Sequence, residues 1–174
     1  MNRIVYMVLR HLPIVPYWFW KIDHMGKRPD QYPEQERYDY LRNIIKTINQ
    51  NGRVTVRGYG EEQLPKENGF ILFPNHQGFF DMLAIIDSCP KPLGVIIKKE
   101  AANWILVKQV LRLLGGIPMD RSDIRAAMEV IKEMTRQVKE GKNYVIFPEG
   151  TRSRKGNELL EFKAGTFKSA IKIG

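Results

Sequence analysis

The sequence has one cysteine, three histidines and no long uninterrupted apolar run. With Cys89 alone, the chain can form no internal disulfide and no cysteine-rich metal site, and a small buried hydrophobe is the simplest interpretation of that residue. The most apolar segment, residues 4–20, is interrupted by Arg10 and by two prolines, so it falls short of the roughly 20 residues that span a bilayer. We therefore predict no membrane-spanning helix, and no secretory signal because no small-residue cleavage site follows the segment.

Size and charge are compatible with one compact domain and an appendage. The chain has 174 residues, of which 43% are hydrophobic and 27% charged, so disorder is not expected. The net charge of +9 is uneven: residues 1–90 carry 11 Lys+Arg against 10 Asp+Glu, and residues 91–174 carry 17 against 9. Such a field attracts nucleic acid, an anionic membrane surface or phosphorylated ligands, and charge alone does not choose among them.

The N-terminal segment combines aromatic and basic residues. Residues 17–20, Tyr-Trp-Phe-Trp, stand beside Lys21, a mixture typical of an interfacial membrane anchor, although a helix docked on the core has the same composition. Residues 36–50 then have the apolar period of an amphipathic helix that ends at Asn51-Gly52. We predict a helical membrane-associating segment over residues 1–52 and an α/β domain over residues 53–174.

Strand and helix patterns alternate after residue 69, which indicates an α/β fold with a mixed, largely parallel sheet flanked by helices. The predicted strands are Phe70–Phe73, Leu93–Ile97, a short one at Ile117 and Tyr144–Phe147, with a further possible strand at Arg53–Arg57. The predicted helices are Phe79–Asp87, Trp104–Leu114 and one that Gly141 closes, whose inner face carries Ile124, Met128, Ile131, Thr135 and Val138. Loops at the strand ends of such a sheet carry function.

His76 and Asp81 form a candidate catalytic pair. On a continuous helix a spacing of five would place the two side chains about 140° apart, so the pair needs a bend. Pro74 ends the preceding strand and Gly78 frees the backbone to turn, which lets Asp81 reach back from the first helical turn. A carboxylate there would orient the imidazole as a general base, whereas the alternative is a capped turn without chemistry.

A second motif, Phe147-Pro148-Glu149-Gly150-Thr151-Arg152-Ser153, follows a buried strand. Arg152 presents a planar fork suited to two phosphate oxygens, Gly150 lets backbone amides approach an anion, and Glu149 can orient a basic side chain. The alternative is an exposed basic turn. Together the two motifs indicate a base beside a phosphate site.

Two further loops carry candidate residues. Arg121 follows a strand stub at Ile117 and could join Arg152 around a phosphate, or stay solvated while Asp120 or Ser122 caps the next helix. Lys98 ends another buried strand and could offset oxyanion charge, or lie at the surface.

These four segments, in their order along the chain, resemble the glycerolipid acyltransferase family, typified by bacterial 1-acyl-sn-glycerol-3-phosphate acyltransferase. Asn75, His76 and Asp81 match its Asn-His-x-x-x-x-Asp block, and residues 147–153 match its Phe-Pro-Glu-Gly-Thr-Arg-Ser block without a change. Lys98 and Glu100 resemble the family's Lys-x-Glu-Leu element, except that Ala101 stands where leucine is usual. A last proline-bearing strand of the family does not follow residue 174, so the resemblance implies a C-terminally truncated member.

The resemblance implies acyl transfer from acyl-CoA or acyl carrier protein to the sn-2 hydroxyl of lysophosphatidate. His76 and Asp81 would be catalytic, Asn75 or Lys98 would meet the oxyanion, and the phosphate would be bound by Arg121, Glu149, Gly150, Thr151 and Arg152. It implies no metal and no cofactor beyond the acyl donor. The expected location is the cytoplasmic face of the cell membrane, with interfacial attachment.

Other functions remain open from the sequence. The acceptor could be glycerol 3-phosphate or another lysophospholipid, or the chain could be an inactive membrane-binding fragment. Nucleic-acid binding would need aromatics interleaved with Arg and Lys on one surface, whereas the aromatics concentrate in the N-terminal segment and in buried strands. We therefore expect no nucleic-acid partner.

Overall fold

A four-stranded parallel sheet forms the centre of the molecule. The computed structural model describes residues 10–154, 156 and 158–173. The strands lie in the order β1-β4-β2-β3, and every pair is parallel. Their bounds are β1 Ile71–Leu72, β2 Gly94–Lys98, β3 Ile117–Met119 and β4 Tyr144–Val145. The predicted α/β class is confirmed, with a sheet that is parallel throughout its described strands.

Seven described helices surround the sheet. They are α1 Val15–Gly26, α2 Glu34–Asn51, α3 Asp81–Ser88, α4 Lys99–Ala102, α5 Val107–Leu113, α6 Ile124–Lys139 and α7 Ala164–Ile173. Helix α1 contacts α2 and α5, α2 also contacts α3, and α6 contacts α7. The predicted helix at residues 36–50 is thus confirmed and is slightly longer.

The two faces of the sheet bury separate hydrophobic clusters. Along β4 and its extension, Val145 and Phe147 belong to the cluster with α1, α2 and α5, whereas Tyr144 and Ile146 belong to the cluster with α6. This alternation follows from the period of two along an extended strand. The sheet is therefore covered on both sides, as parallel sheets are.

Helix α1 has one buried and one exposed side. Ile22 and Met25 are buried in the core cluster, while Tyr17 and Trp20 are 51% and 56% exposed. Both alternatives for the aromatic segment thus find support, because the helix docks on the core and still presents aromatic rings outward. Residues 1–9 of the predicted anchor lie outside the described residues. Within the described part of the chain, no helix combines the length and hydropathy needed to cross a membrane.

Buried polar groups hold the secondary structure in register. The Asn143 amide, 3% exposed, accepts from the Gly69 N–H at 2.8 Å and donates to the Pro92 carbonyl at 2.9 Å, so it ties the starts of β1 and β2 to β4. Arg42 of α2 donates to the carbonyls of Ile86 and Asp87 at 3.1 Å, which satisfies the C-terminal end of α3. The helix that begins at Asp81 is thereby fixed from its far end.

Three local predictions are wrong. Residues 53–57 carry no strand, because the Val54 N–H bonds back to the Asn49 carbonyl of α2 at 2.8 Å. The predicted helix Trp104–Leu114 begins only at Val107, since Leu106 has a φ of 72°. Ile124 and Met128 are 76% and 56% exposed, so they do not belong to the inner face of α6. That face consists of Ala127, Val130, Ile131, Met134, Thr135 and Val138.

Candidate active site

The candidate residues lie in loops that leave the carboxyl ends of the strands. Because the strands are parallel, these ends meet at one edge of the sheet. The His76 loop follows β1 and the Arg152 loop follows β4, and these two strands are neighbours. The sheet order therefore brings the two sequence motifs to the same place.

His76 and Asp81 form a hydrogen-bonded pair. The Nδ1 atom of His76 lies 2.8 Å from Oδ2 of Asp81, and each side chain is 22% exposed. The same carboxylate oxygen accepts from the backbone N–H groups of Gln77 at 2.7 Å and Gly78 at 2.9 Å. As predicted, His76 lies in a bent loop and Asp81 is the first residue of α3.

The geometry assigns the tautomer of the neutral imidazole. An ionised carboxylate only accepts hydrogen bonds, so Nδ1 of His76 carries the proton that it donates to Asp81. The other ring nitrogen, Nε2, then has the free lone pair, which is the arrangement of a general base. The imidazole ring also stacks on Phe147, with centroids 4.1 Å apart, and this contact limits its rotation.

Asp81 is held in its ionised form. Partial burial works to raise its pKa, but hydrogen bonds from the Gly78 amide, His76 and the Gln77 amide outweigh it and bring the pKa below its ordinary value. Its place at the start of α3 adds the favourable end of the helix dipole.

The two motif loops are joined by backbone hydrogen bonds. The Ser153 N–H donates to the His76 carbonyl at 2.7 Å. Arg152 lies over the ring of Phe79, with its guanidinium carbon 3.9 Å from the ring centroid. The candidate base and the candidate phosphate ligand therefore belong to one continuous site.

The prediction that Glu149 orients a basic side chain or binds the phosphate is wrong. The side chain is 2% exposed, and its two oxygens accept from the backbone N–H groups of His76 at 2.6 Å and Leu160 at 2.9 Å. It cannot contact a phosphate from this position. It instead connects the His76 loop to the segment before α7.

Gly150 forms the turn of the second loop rather than an amide cradle. Its φ of 70° is in the left-handed region, and its N–H donates to the Phe147 carbonyl at 3.1 Å. This N–H is therefore engaged and not directed at an anion. The Gly150 carbonyl accepts a hydrogen bond from the Arg121 guanidinium, which brings the loop after β3 to the same turn.

Two basic residues from outside the second motif lie against this turn. A Cβ placed on Gly150 would lie 3.7 Å from Nη1 of Arg121 and 3.8 Å from Cγ of Lys163. Burial lowers the pKa of Arg121 from its usual value, and the guanidinium still stays charged in any physiological range. Thr151 is exposed beside Arg152 in the same turn. The Arg121 guanidinium and the aliphatic stem of Lys163 thus lie beside Gly150, while the guanidinium of Arg152 stacks on Phe79.

Lys163 is a candidate that the sequence did not suggest. Its backbone N–H donates to the Pro148 carbonyl at 2.8 Å, which draws the segment before α7 against the second motif. The loop between residues 153 and 163 has no regular period, so no local pattern could predict this return.

The remaining candidates lie at the edge of the site. Asn75 is exposed, and Lys98 pairs with Glu100 at 2.9 Å at the end of β2. Asp123 caps α6 by accepting from the N–H groups of Arg125 and Ala126, so the proposed cap by Asp120 or Ser122 is wrong. Hydrogen bonds from Ser122 bring the pKa of Asp120 below its ordinary value.

The described side chains form no metal cluster at the His76–Asp81 pair, which we call the dyad. Among the side chains that the structure describes, no three His, Cys, Asp or Glu residues surround a common point, and the absence of a metal stays a prediction. A cleft of about 540 Å³ lies between α1 and α2, away from His76, with Lys21 and Tyr40 in its wall.

The fold and the site define an α/β domain that carries an imidazole–carboxylate pair and a turn with basic side chains at one edge of its sheet. Residues 53–174 match the family model described as Acyltransferase, and the chain belongs to this family.

Several relatives share most of the α/β region. The chain is 34% identical over 115 residues to 1-acyl-sn-glycerol-3-phosphate acyltransferase from Borreliella burgdorferi, a match that covers 66% of this chain and 46% of that protein. The proteins of the same name from Cocos nucifera and Bacillus subtilis are 41% and 29% identical, over 56% and 67% of this chain and 32% and 57% of their own lengths. The chain thus spans about a third to somewhat over half of these relatives.

A solved structure has the same fold. The crystal structure of the 1-acyl-sn-glycerophosphate (LPA) acyltransferase from Thermotoga maritima superposes with a TM-score of 0.74 at 26% identity. The match covers 100% of this chain, including the N-terminal helices, and 72% of that one.

The lowered pKa of Asp81 predicts an acid-dependent loss of stability. Because the folded-state pKa is depressed, the contribution is complete above the ordinary value of 3.8 and is lost as the pH falls through the folded value. We expect Asp81→Asn to lower the free energy of unfolding by about 1–3 kcal/mol at pH 7, and by less at pH 3, which lies below the ordinary pKa. Denaturant titrations at both pH values measure the difference, with the exposed Asp30→Asn as control. An equal loss at both pH values would contradict the assignment.

Glu149→Gln should destabilise the junction of the two loops. The amide can accept from only one of the two backbone N–H groups and points its own donors at the other, which costs about 1–3 kcal/mol. Glu158→Gln makes the same chemical change at an exposed position and should stay within about 0.5 kcal/mol. Chemical denaturation of both variants tests this, and equal effects would refute the bridging role.

Proposed function

We propose that this chain transfers a fatty acyl group from acyl-CoA or acyl carrier protein to the sn-2 hydroxyl of 1-acyl-sn-glycerol 3-phosphate, which yields phosphatidate. The observation that carries the proposal is the hydrogen bond between the two motif loops, in which the Ser153 N–H donates to the His76 carbonyl at 2.7 Å. This hydrogen bond supports a site in which the imidazole, oriented by Asp81, acts as a base beside a turn that binds the phosphate. The names of the relatives in the same family support this choice of acceptor.

The residues supply a balanced reaction path. Nε2 of His76 takes the proton of the acceptor hydroxyl while the oxygen attacks the thioester carbonyl. The new carbon–oxygen bond forms, the carbon–sulfur bond breaks, and the imidazolium returns its proton to the leaving thiolate. Asp81, ionised and bonded to Nδ1, stabilises the positive ring between these two steps.

The acceptor phosphate would be bound at the turn around Gly150. Arg152 offers its planar fork, Arg121 and Lys163 come from other loops to the same turn, and Thr151 can donate a hydroxyl. Holding the phosphate there positions the hydroxyl, two carbons away, for the base. Glu149 acts as a positioning residue, because it fixes the His76 loop through the backbone.

The oxyanion that forms at the thioester carbonyl would be stabilised by Asn75, in the loop after β1, or by the Lys98 ammonium, at the end of β2 on the same sheet edge. Transfer would be direct, without an acyl-enzyme, and would need neither a metal nor a further cofactor. We also place the protein at the cytoplasmic face of the cell membrane. The exposed rings of Tyr17 and Trp20 on α1 support an interfacial attachment.

His76→Ala should lower turnover about 10²–10⁴-fold, because it removes the base and leaves the phosphate site in place. The measurement is thiol release from acyl-CoA with and without lysophosphatidate. His24→Ala is the matched control. His24 lies on α1, forms a hydrogen bond with Arg28 just after that helix, and takes no part in the site. Release by the wild type that does not depend on lysophosphatidate would overturn the proposed function, and full activity of His76→Ala would overturn the role of the base.

Arg152→Ala should raise the KM for the phosphate-bearing acceptor about 10–100-fold with a smaller change in kcat, as expected for the loss of a charge-assisted hydrogen bond. Arg152→Lys should recover only part of this, because lysine keeps the charge and loses the fork. The exposed Arg154→Ala, two residues on, is the control. A panel with glycerol 3-phosphate and larger-headgroup lysophospholipids shows which acceptor the effect follows. An unchanged KM for every acceptor would remove Arg152 from the clamp.

A further inference from the structure

The turn before α5 exposes three consecutive large apolar side chains. Trp104, Ile105 and Leu106 are 55%, 84% and 50% exposed. Single exposed apolar residues are ordinary on a protein surface, but a contiguous group of large ones indicates a surface that something covers. The sequence placed these residues inside a helix, where they would have been partly buried.

The turn is held in this shape by its own hydrogen bonds. The Trp104 N–H donates to the Ala101 carbonyl at 3.1 Å, the Leu106 N–H donates to the Gln109 side chain at 2.9 Å, and the Lys108 N–H donates to the Trp104 carbonyl at 3.0 Å. Leu106 has a φ of 72°, which a branched L-residue adopts only where its surroundings impose it. The apolar side chains are thus presented on a fixed turn.

The exposed turn lies at the same edge of the sheet as the dyad. It follows β2, whereas Phe79, 72% exposed, follows β1, and Ile124, 76% exposed, follows β3. Lys99, the first residue of α4, lies 3.5 Å from the Asp120 carboxylate in the loop after β3, which connects the segments that follow β2 and β3. We call Phe79, Trp104, Ile105, Leu106 and Ile124 the apolar rim.

The charge around the rim favours an anionic surface as its occupant. Lys98, Lys99 and Lys108 flank the turn and are exposed, although the first two share their charge with nearby carboxylates. The rim also belongs to the half of the chain with 17 Lys+Arg against 9 Asp+Glu. Tryptophan and aliphatic side chains surrounded by lysines are the mixture that settles at the headgroup boundary of a bilayer.

We propose that the apolar rim, led by the Trp104-Ile105-Leu106 turn, inserts into an anionic phospholipid bilayer as a membrane contact separate from the N-terminal helices. It turns the carboxyl edge of the sheet, with His76, towards the lipid. A lysophospholipid then reaches the base without leaving the interface. The inference rests on the proposed function only in that the acceptor is a membrane lipid.

Trp104 itself provides the probe. The chain has three tryptophans, so the variant Trp18→Phe with Trp20→Phe leaves Trp104 as the only indole. We expect its emission to shift to the blue with vesicles of phosphatidylglycerol and phosphatidylethanolamine, and to be quenched by lipids brominated on the acyl chain. Vesicle flotation of the same variant measures binding. Flotation without quenching would overturn the proposal, because binding would then occur through another surface.

A tryptophan on the opposite edge is the matched control. Tyr59 is 87% exposed and follows Gly58, whose Cβ position lies 3.2 Å from Cβ of Ser88 at the far end of α3 from Asp81. Tyr59→Trp, in a background where all three native tryptophans are phenylalanine, should be neither shifted nor quenched. Quenching equal to that of Trp104 would refute an oriented insertion.

Ile105→Glu tests the energetic contribution. We expect Ile105→Glu to bind vesicles about tenfold more weakly, because one isoleucine no longer enters the bilayer, whereas Tyr59→Glu should leave vesicle binding unchanged.

The emission of Trp104 also distinguishes a lipid bilayer from a single acyl chain. A blue shift with soluble palmitoyl-CoA but not with vesicles would overturn the proposal in favour of acyl-chain binding. None of these readouts involves turnover, so a failure of the proposed reaction would appear only in the thiol-release assay.

Discussion

The site depends on one buried carboxylate, that of Glu149, which accepts backbone N–H groups from the His76 loop and from the segment before α7. A carboxylate that is 2% exposed is costly unless its oxygens are bonded, and both are. The backbone atoms that it holds belong to the loop of the base and to the chain that leads to Lys163. The charge of Glu149 therefore organises the site through the backbone, and recognition of the acceptor is the role that we propose for the arginines.

The carboxylate of the dyad depends on a second set of constraints, from outside the motif loops. Asp81 starts α3, and the far end of that helix is held by Arg42, which bonds the carbonyls of Ile86 and Asp87. Arg42 belongs to α2, which the sequence assigned to a separate helical segment. Helices α1 and α2 share one hydrophobic cluster with the sheet, so the N-terminal part of the chain helps to position the dyad. The division at residue 52 remains a prediction.

The predictions held where the interacting residues are close in sequence. His76, Gly78 and Asp81 lie within six positions, so turn chemistry alone could place the carboxylate beside the ring. The predictions were wrong where a distant partner decides the structure. One of the two amide partners of Glu149, that of His76, is 73 residues away. The segment after Arg53 forms a hydrogen bond with α2 instead of joining the sheet. The Trp104 turn is a local exception, since one residue with a positive φ interrupts a helical period.

The sequence by itself determined the alternation of strands and helices, the bend that joins His76 to Asp81 and the two motifs of the proposed site, because each of these depends on local backbone preferences and hydrophobic period. Only the tertiary structure decided that β1 and β4 are neighbours, that Glu149 faces inward, that Lys163 returns to Gly150 and that three consecutive large apolar residues are exposed before α5. Strand order and loop contacts join residues far apart along the chain, and their energies come from burial and hydrogen bonds that exist only after the sheet has formed.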